Sequence, residues 1–221
     1  MIYRLLSLLI FSSLLSSALA QPTFKGGPVY LNSFIVNNQI YPEYSKSNCL
    51  QGTIDVEFKL NHSGRIYFSR VKRGFGTDLD IEALRIVRLT SGKWIVPADH
   101  DTTVAIVLPV NFTLKEYNCE NQSKDNISAA IAAYKARQDL TNAVLNYYDK
   151  KSQGKVDPGQ EVEIENLKQQ LGYNEKFITR KLRQAQQKLK QGDRQGACED
   201  FNFIRKLGSD RADQLLEKYC Q

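Results

Sequence analysis

The chain has 221 residues, 42% of them hydrophobic and 24% charged, with 30 Lys and Arg against 24 Asp and Glu for a formal net charge of +6. That length accommodates one or two folded domains. The cations are dispersed rather than run together, which describes a mildly basic solvated surface compatible with anionic envelope polymers and argues against nucleic acid as a partner.

Residues 1–20 carry one early cation, Arg4, then an apolar run from Leu5 to about Leu15, then Ala18-Leu19-Ala20 ahead of Gln21. This is the layout of a secretory signal peptide. A membrane span needs about 20 apolar residues, and Ser12, Ser13, Ser16 and Ser17 interrupt this run. Export to the periplasm with cleavage before Gln21 is the expectation, leaving a protein that is soluble or peripherally attached to the envelope.

Beyond Gln21, Leu31, Phe34 and Ile35 suggest a short helix ending near Tyr41-Pro42. From Thr53 to Leu60, Ile54, Val56, Phe58 and Leu60 alternate with Thr53, Asp55, Glu57 and Lys59, the signature of a strand with one buried and one wet face. Asn61-His62-Ser63-Gly64 reads as a hairpin turn, followed by a strand through Ile66, Phe68 and Val71. Thr77 or Asp78 can cap a helix over 79–89 with Leu79, Ala83, Ile86 and Val87 on one face. A third long strand is predicted from about Thr103 to Leu114, placing Val104, Ile106, Leu108, Val110, Phe112 and Leu114 on one side. Pro109 within it marks an edge strand or a bulge, because proline donates nothing to a ladder. Trp94 is expected to fill the space between helix and sheet.

Near residue 124 the composition shifts to Ala, Gln, Lys and Leu with helical spacing. A first helix over about 126–150 gathers Ile127, Ile131, Tyr134, Leu140, Val144 and Tyr147. Shorter helices follow around 162–171, from Asn174 to Gly192, up to Gly208, and on to Tyr219. The fold class expected is therefore α+β: a small antiparallel sheet in strand–strand–helix–strand order over residues 21–123, followed by an all-α helical domain over 124–221.

The four cysteines of an exported chain favour disulfides over metal or catalysis. Four cysteines permit three pairings. Cys49 just before the first long strand and Cys119 just after the last would meet if those strands are antiparallel neighbours, and Cys198 and Cys220 flank the terminal helices. Position favours Cys49–Cys119 and Cys198–Cys220.

The order Tyr41-Pro42, Gln51-Gly52 with an alternating strand, Leu79-Asp80-Ile81-Glu82-Ala83, Trp94-Ile95-Val96-Pro97-Ala98 and Leu108-Pro109-Val110-Asn111-Phe112 resembles the C-terminal domain of TonB-type energy transducers over roughly residues 24–115. The resemblance implies that the third strand receives a short extended segment of an outer-membrane receptor by strand addition, with the Tyr-Pro segment touching the same partner. Carried onto this chain, the implied partner-binding residues are Tyr41, Pro42, Val104, Ala105, Ile106, Val107, Leu108, Val110 and Phe112. Asn38-Gln39-Ile40 stands where the family carries Gln-Pro ahead of Tyr-Pro. The chain has only 6 Pro and no Pro-rich spacer. Near the C-terminus, Gly192-Asp193-Arg194-Gln195-Gly196-Ala197-Cys198 with Tyr219-Cys220 resembles a half-repeat of tetratricopeptide- or Sel1-like proteins of Bacteroidetes, a cap-like helix hairpin with no second copy at a fixed period.

No nucleophile elbow, His-Glu-x-x-His or phosphate-cradling loop is present. The pair Asp80/Glu82 falls on different faces of its helix, and Asp99-His100-Asp101 reads as a solvated turn. The expectation is a non-enzymatic envelope protein, with no cofactor or metal, that binds an envelope protein or receptor segment in connection with TonB-dependent transport. The alternative is an envelope scaffold whose helical tail binds protein or peptidoglycan.

Overall fold

The structure, a computed structural model, describes residues 21–115, 117 and 119–220, so the leader and cleavage site expected at residues 1–20 lie outside it. A two-residue strand, β1 (Thr23–Phe24), leads into α1 (Gly27–Asn38). Proline in the first turn of α1 places its missing N–H where a helix has no partner for one. The chain then extends through Tyr41 to Pro42, as a residue before proline prefers, and Pro42 sits at the N-cap of one further helical turn, α2 (Glu43–Ser47), not anticipated from sequence. Cys49, with φ 55°, reverses the chain into the sheet.

β2 (Gly52–Leu60) and β3 (Ile66–Arg73) form the expected hairpin, and β5 (Ile106–Phe112) pairs with the other side of β2, giving an antiparallel sheet of order β3-β2-β5. The helix α3 (Asp78–Leu89) covers one face. A short β4 (Trp94–Ile95) pairs with β1, a second ribbon that two-residue strands give too little pattern to predict. Ile54, Val56, Phe58 and Leu60 of β2 meet Leu79, Ala83, Ile86 and Val87 of α3, all fully buried. Each such side chain contributes about 1.5–3 kcal/mol from burial. Trp94 closes this core against Phe24 and Phe58, and its indole N–H donates to Thr90 Oγ1 at 2.9 Å. The hairpin turn passes beneath it: Gly64 has φ 73°, and a Cβ there would lie 2.2 Å from the Trp94 carbonyl oxygen.

One expectation for the sheet needs correction. The third strand starts at Ile106 rather than Thr103, so Val104 and Ala105 precede it. Asp101 explains the late start. Its carboxylate accepts from the Thr103 N–H and hydroxyl at 2.8 and 2.7 Å, an Asx-type turn that bends the chain before pairing begins. In β3 the register with β2 jumps twice, leaving Tyr67 and Lys72 as extra residues. After the first bulge Phe68 lies opposite Lys59 on the solvent face, and Ser69 lies opposite Phe58 on the face of α3.

The helical part comprises α4 (Lys124–Ser152), α5 (Glu161–Gln170), α6 (Glu175–Lys190), α7 (Arg194–Lys206) and α8 (Asp213–Tyr219). Ser123, Asn174 and Asp193 cap α4, α6 and α7, each accepting a backbone N–H three residues on. The apolar stripe of α4 serves two cores. Ile127, Ala130 and Ile131 join the sheet core, with the Tyr44 hydroxyl donating to the Ala130 carbonyl at 2.7 Å. Val144 packs instead with Leu171, Tyr173 and Leu207. Leu140 is exposed, contrary to expectation. Thr141, seven residues after Tyr134 and so two full turns along, continues the stripe and shares a hydrogen bond with the Tyr173 hydroxyl at 2.8 Å.

Both disulfides follow the favoured pairing. Cys49–Cys119 ties the turn before β2 to the segment after β5, Cα atoms 5.5 Å apart, and Cys198–Cys220 ties α7 to the end of α8 at 5.6 Å. Among the described residues no helix is long and apolar enough to cross a membrane.

Candidate functional site: the free edge of the sheet

β5 is an outer strand, and its pairing with β2 runs without a register break from Gly52↔Phe112 to Phe58↔Ile106. Along such a strand, successive residues aim their backbone N–H and C=O to opposite sides. The Leu114 N–H donates to the side chain of Gln51, the residue before β2, at 2.7 Å. The Asn111 carbonyl, three residues earlier and so of opposite parity, accepts from the Gln39 side chain at 3.0 Å, so Asn111 turns its backbone outward. Alternation then assigns Val107 and Pro109 to the same outward side, and Ile106, Leu108, Val110 and Phe112 to the ladder with β2. Pro109 therefore occupies a position where its missing donor costs the internal ladder nothing. By this alternation the edge presents, among the described residues, the N–H of Val107 and Asn111 and the carbonyls of Val107 and Pro109.

The candidate residues divide accordingly. Val110 and Phe112 are fully buried and also direct their backbones at β2, so they support the edge without presenting anything from it. Ile106 and Leu108 pack partly on the core. Val107 is 39% exposed and outward in backbone as well, the single candidate that combines the two. Val104 and Ala105 line a cleft of about 420 Å³ at the start of the strand, with Pro22, His100, Ile106 and Val107. Pro109 and Asn111 were not singled out as edge contacts from sequence, although Pro109 itself was the available signal.

Tyr41 and Pro42 brace the opposite end of β5. The Tyr41 ring meets Phe112 edge-on at 5.8 Å, and its hydroxyl donates to the Leu50 carbonyl. Burial, aided by the nearby Asp78 charge, pushes this phenol up to about 12, so it remains a donor over the physiological range. Pro42 starts α2, whose Ser45 is held by the Asp78 carboxylate. Beyond the end of β5, the Leu114 N–H donates to the Gln51 side chain at 2.7 Å, which prolongs the ladder. The Glu82 carboxylate accepts the Ile40 N–H at 2.7 Å and ion-pairs with Arg85 at 2.6 Å. Asp80 accepts from Phe75 and Gly76 N–H groups. Both acids thus hold backbone. Among the described residues no group of three or more His, Cys, Asp and Glu is placed to hold a metal.

The other outer strand, β3, is covered. The Gln195 side chain of α7 donates to the Ser69 carbonyl at 3.0 Å and accepts from the Ser69 hydroxyl at 2.9 Å. Beside it, buried Arg88 of α3 binds Glu199 of α7 through two nitrogens at 2.8 and 2.7 Å and donates to Ser69 at 2.9 Å. Asp193 lies 3.9 Å from the same guanidinium, and burial raises its carboxyl above the ordinary value.

Residues 37–114, from the last turn of α1 to just past β5, match the family described as the Gram-negative bacterial TonB protein C-terminal. This segment is similar to a TonB-type C-terminal domain. Neither a curated protein nor a solved structure matches the chain.

Proposed function

We propose that this protein is a non-catalytic envelope protein that captures an extended peptide segment, in the manner of a TonB-related domain, by adding it as a strand along β5. The observation that carries the reading is the unbroken register of β5 together with the outward, unpaired backbone groups at Val107 and Pro109. An incoming strand completes such groups, so main-chain hydrogen bonds give affinity and alternate side chains give preference. The partner is a segment of an envelope protein, with an outer-membrane receptor the natural class for a TonB-type domain. Proline at 109 withholds a donor on the outward side, which confines the added strand to a short stretch centred on Val107. The Gln39 bond to Asn111 closes the far end of the edge.

The test is amide-shift titration with peptides from envelope receptors. Shifts concentrated on Val107–Asn111 and near Gln39–Tyr41 are expected. Val107→Pro should abolish them while the fold persists, because the donor removed points away from β2. Shifts confined to residues 124–220 would reject strand addition and transfer the binding role to the helical tail.

A further inference from the structure

Helix α6 sorts its cations by face. Lys181 and Lys188 turn toward α7 and pair with buried Asp200, each at 2.7 Å. Lys176, Arg180, Arg183 and Lys190 stand at spacings of four, three and seven residues, which places them in one row along the outside of the helix. All four are exposed, and among the described residues none has a carboxylate within ion-pair distance. Glu175, at the start of the helix, is engaged by Arg211. Over the 14 residue steps from Lys176 to Lys190 the row spans roughly 21 Å. Its exposed neighbours are Thr179, Gln184, Gln186 and Gln187, without an apolar or aromatic side chain among them. The opposite face, through Ile178 and Ala185, is buried on α7.

We infer that this row is a docking surface for an anionic phospholipid bilayer. The row lies along the exposed outer face of α6. A plane of headgroups touches such a face along its whole length, and the long Lys and Arg stems reach phosphates on either side. A protein partner would be expected to find an exposed apolar anchor, and a linear polyanion a deep groove. The row offers only a shallow, open depression between Lys176, Thr179, Arg180 and Arg183, and the one ring beside it, Phe177, is half-buried under Arg180. The association is electrostatic, each charge contributing about fivefold to partition and fading once salt shortens the screening length below about 8–10 Å. It is independent of the β5 edge and would hold the protein at an envelope membrane with the sheet free.

Sedimentation of the purified protein with phosphatidylglycerol/phosphatidylcholine vesicles, against pure phosphatidylcholine vesicles, tests it. Binding to the anionic vesicles only, reversed by salt, is expected. Replacing Lys176, Arg180, Arg183 and Lys190 together by Gln should weaken it by about two orders of magnitude or more. Replacing Lys72, Lys115, Lys124 and Lys150 by Gln, also exposed, should leave most of it, with unfolding curves confirming that both variants fold. Equal loss in the two variants would reduce the effect to net charge and overturn the proposal. So would an absence of vesicle binding, or binding to soluble polyphosphate without binding to vesicles.

Discussion

The two outer strands of the sheet meet the same physical problem in opposite ways. An unpaired edge invites unwanted pairing, and proteins blunt it with bulges, charge or a cover. β3 has all three. It is bulged at Tyr67 and Lys72, carries Arg70 and Arg73, and lies under α7 through Gln195 and the Arg88–Glu199 pair. β5 has one proline and one glutamine. It keeps a straight register and is closed at the Asn111 end alone. The contrast lies in the cover: α7 of the helical tail lies over the bulged strand and not over β5.

The sharpest test of that contrast is a matched truncation. Phe112→Ala in β5 should cost about 3–5 kcal/mol, because a fully buried ring leaves a cavity against Tyr41 and α3. Phe68→Ala in β3, on the solvent face beneath Lys59 and Arg70, should cost about 1 kcal/mol or less. Denaturant unfolding measures both. Equal costs would refute the assignment of the two rings to different faces.

Next comes the cover itself. Arg88→Met strands Asp193 and uncouples Glu199, so a loss of about 2–3 kcal/mol is expected, reduced from the fully buried case because Glu199 is half exposed. Amide exchange should rise first at Ser69–Val71 and in α7, while β5 stays protected. Uniform loss of protection would mean that the tail does not serve as a cover for β3.

A pH titration of the same junction gives a smaller effect of fixed sign. Burial raises the Asp193 carboxyl above the 3.8 of a free aspartate, opposed by Arg88, the Gly196 N–H and Lys188 and reinforced by Glu199. The unfolded chain thus loses this proton at lower pH than the folded one. The stability Asp193 contributes is fully present below about pH 3.8 and is lost as pH rises through its higher folded value. Asp193→Asn should flatten that slope while keeping the cap on Gly196, as unfolding measured across the acid range will register. An unchanged slope would assign it to other carboxylates.

The smallest effect concerns the glutamine on β5. Gln39→Ala should change stability by less than about 1 kcal/mol at this half-buried site. It should nevertheless strengthen peptide capture severalfold, since the Asn111 carbonyl becomes free to accept. Weaker capture would show that Gln39 serves the peptide instead of competing with it.

Local pattern determined much of this protein. Period-two alternation specified β2, period 3.6 specified α3 and the helices after residue 124, and the flanking positions of Cys49 and Cys119 specified their bridge. Pro109 announced an edge. These features are legible because each depends on neighbours in sequence. The late start of β5 could have been suspected from Asp101 and Thr103, a short-range turn signal that the apolar run through Val104 masked. The α6 row escaped notice for a similar reason: its cations are three, four and seven apart, so no run of like charge appears.

What tertiary structure alone decided is which edge stays open. Bulges in β3 arise from pairing with β2, and they move Ser69 under Arg88 while turning Phe68 to solvent. Gln195 and Glu199 reach that edge across more than a hundred residues of sequence. Gln39 finds Asn111 only because α1 ends beside β5. Hydrogen bonds between distant residues leave no periodicity in a single chain, because their geometry is set by the packing of whole elements and not by the residues between them.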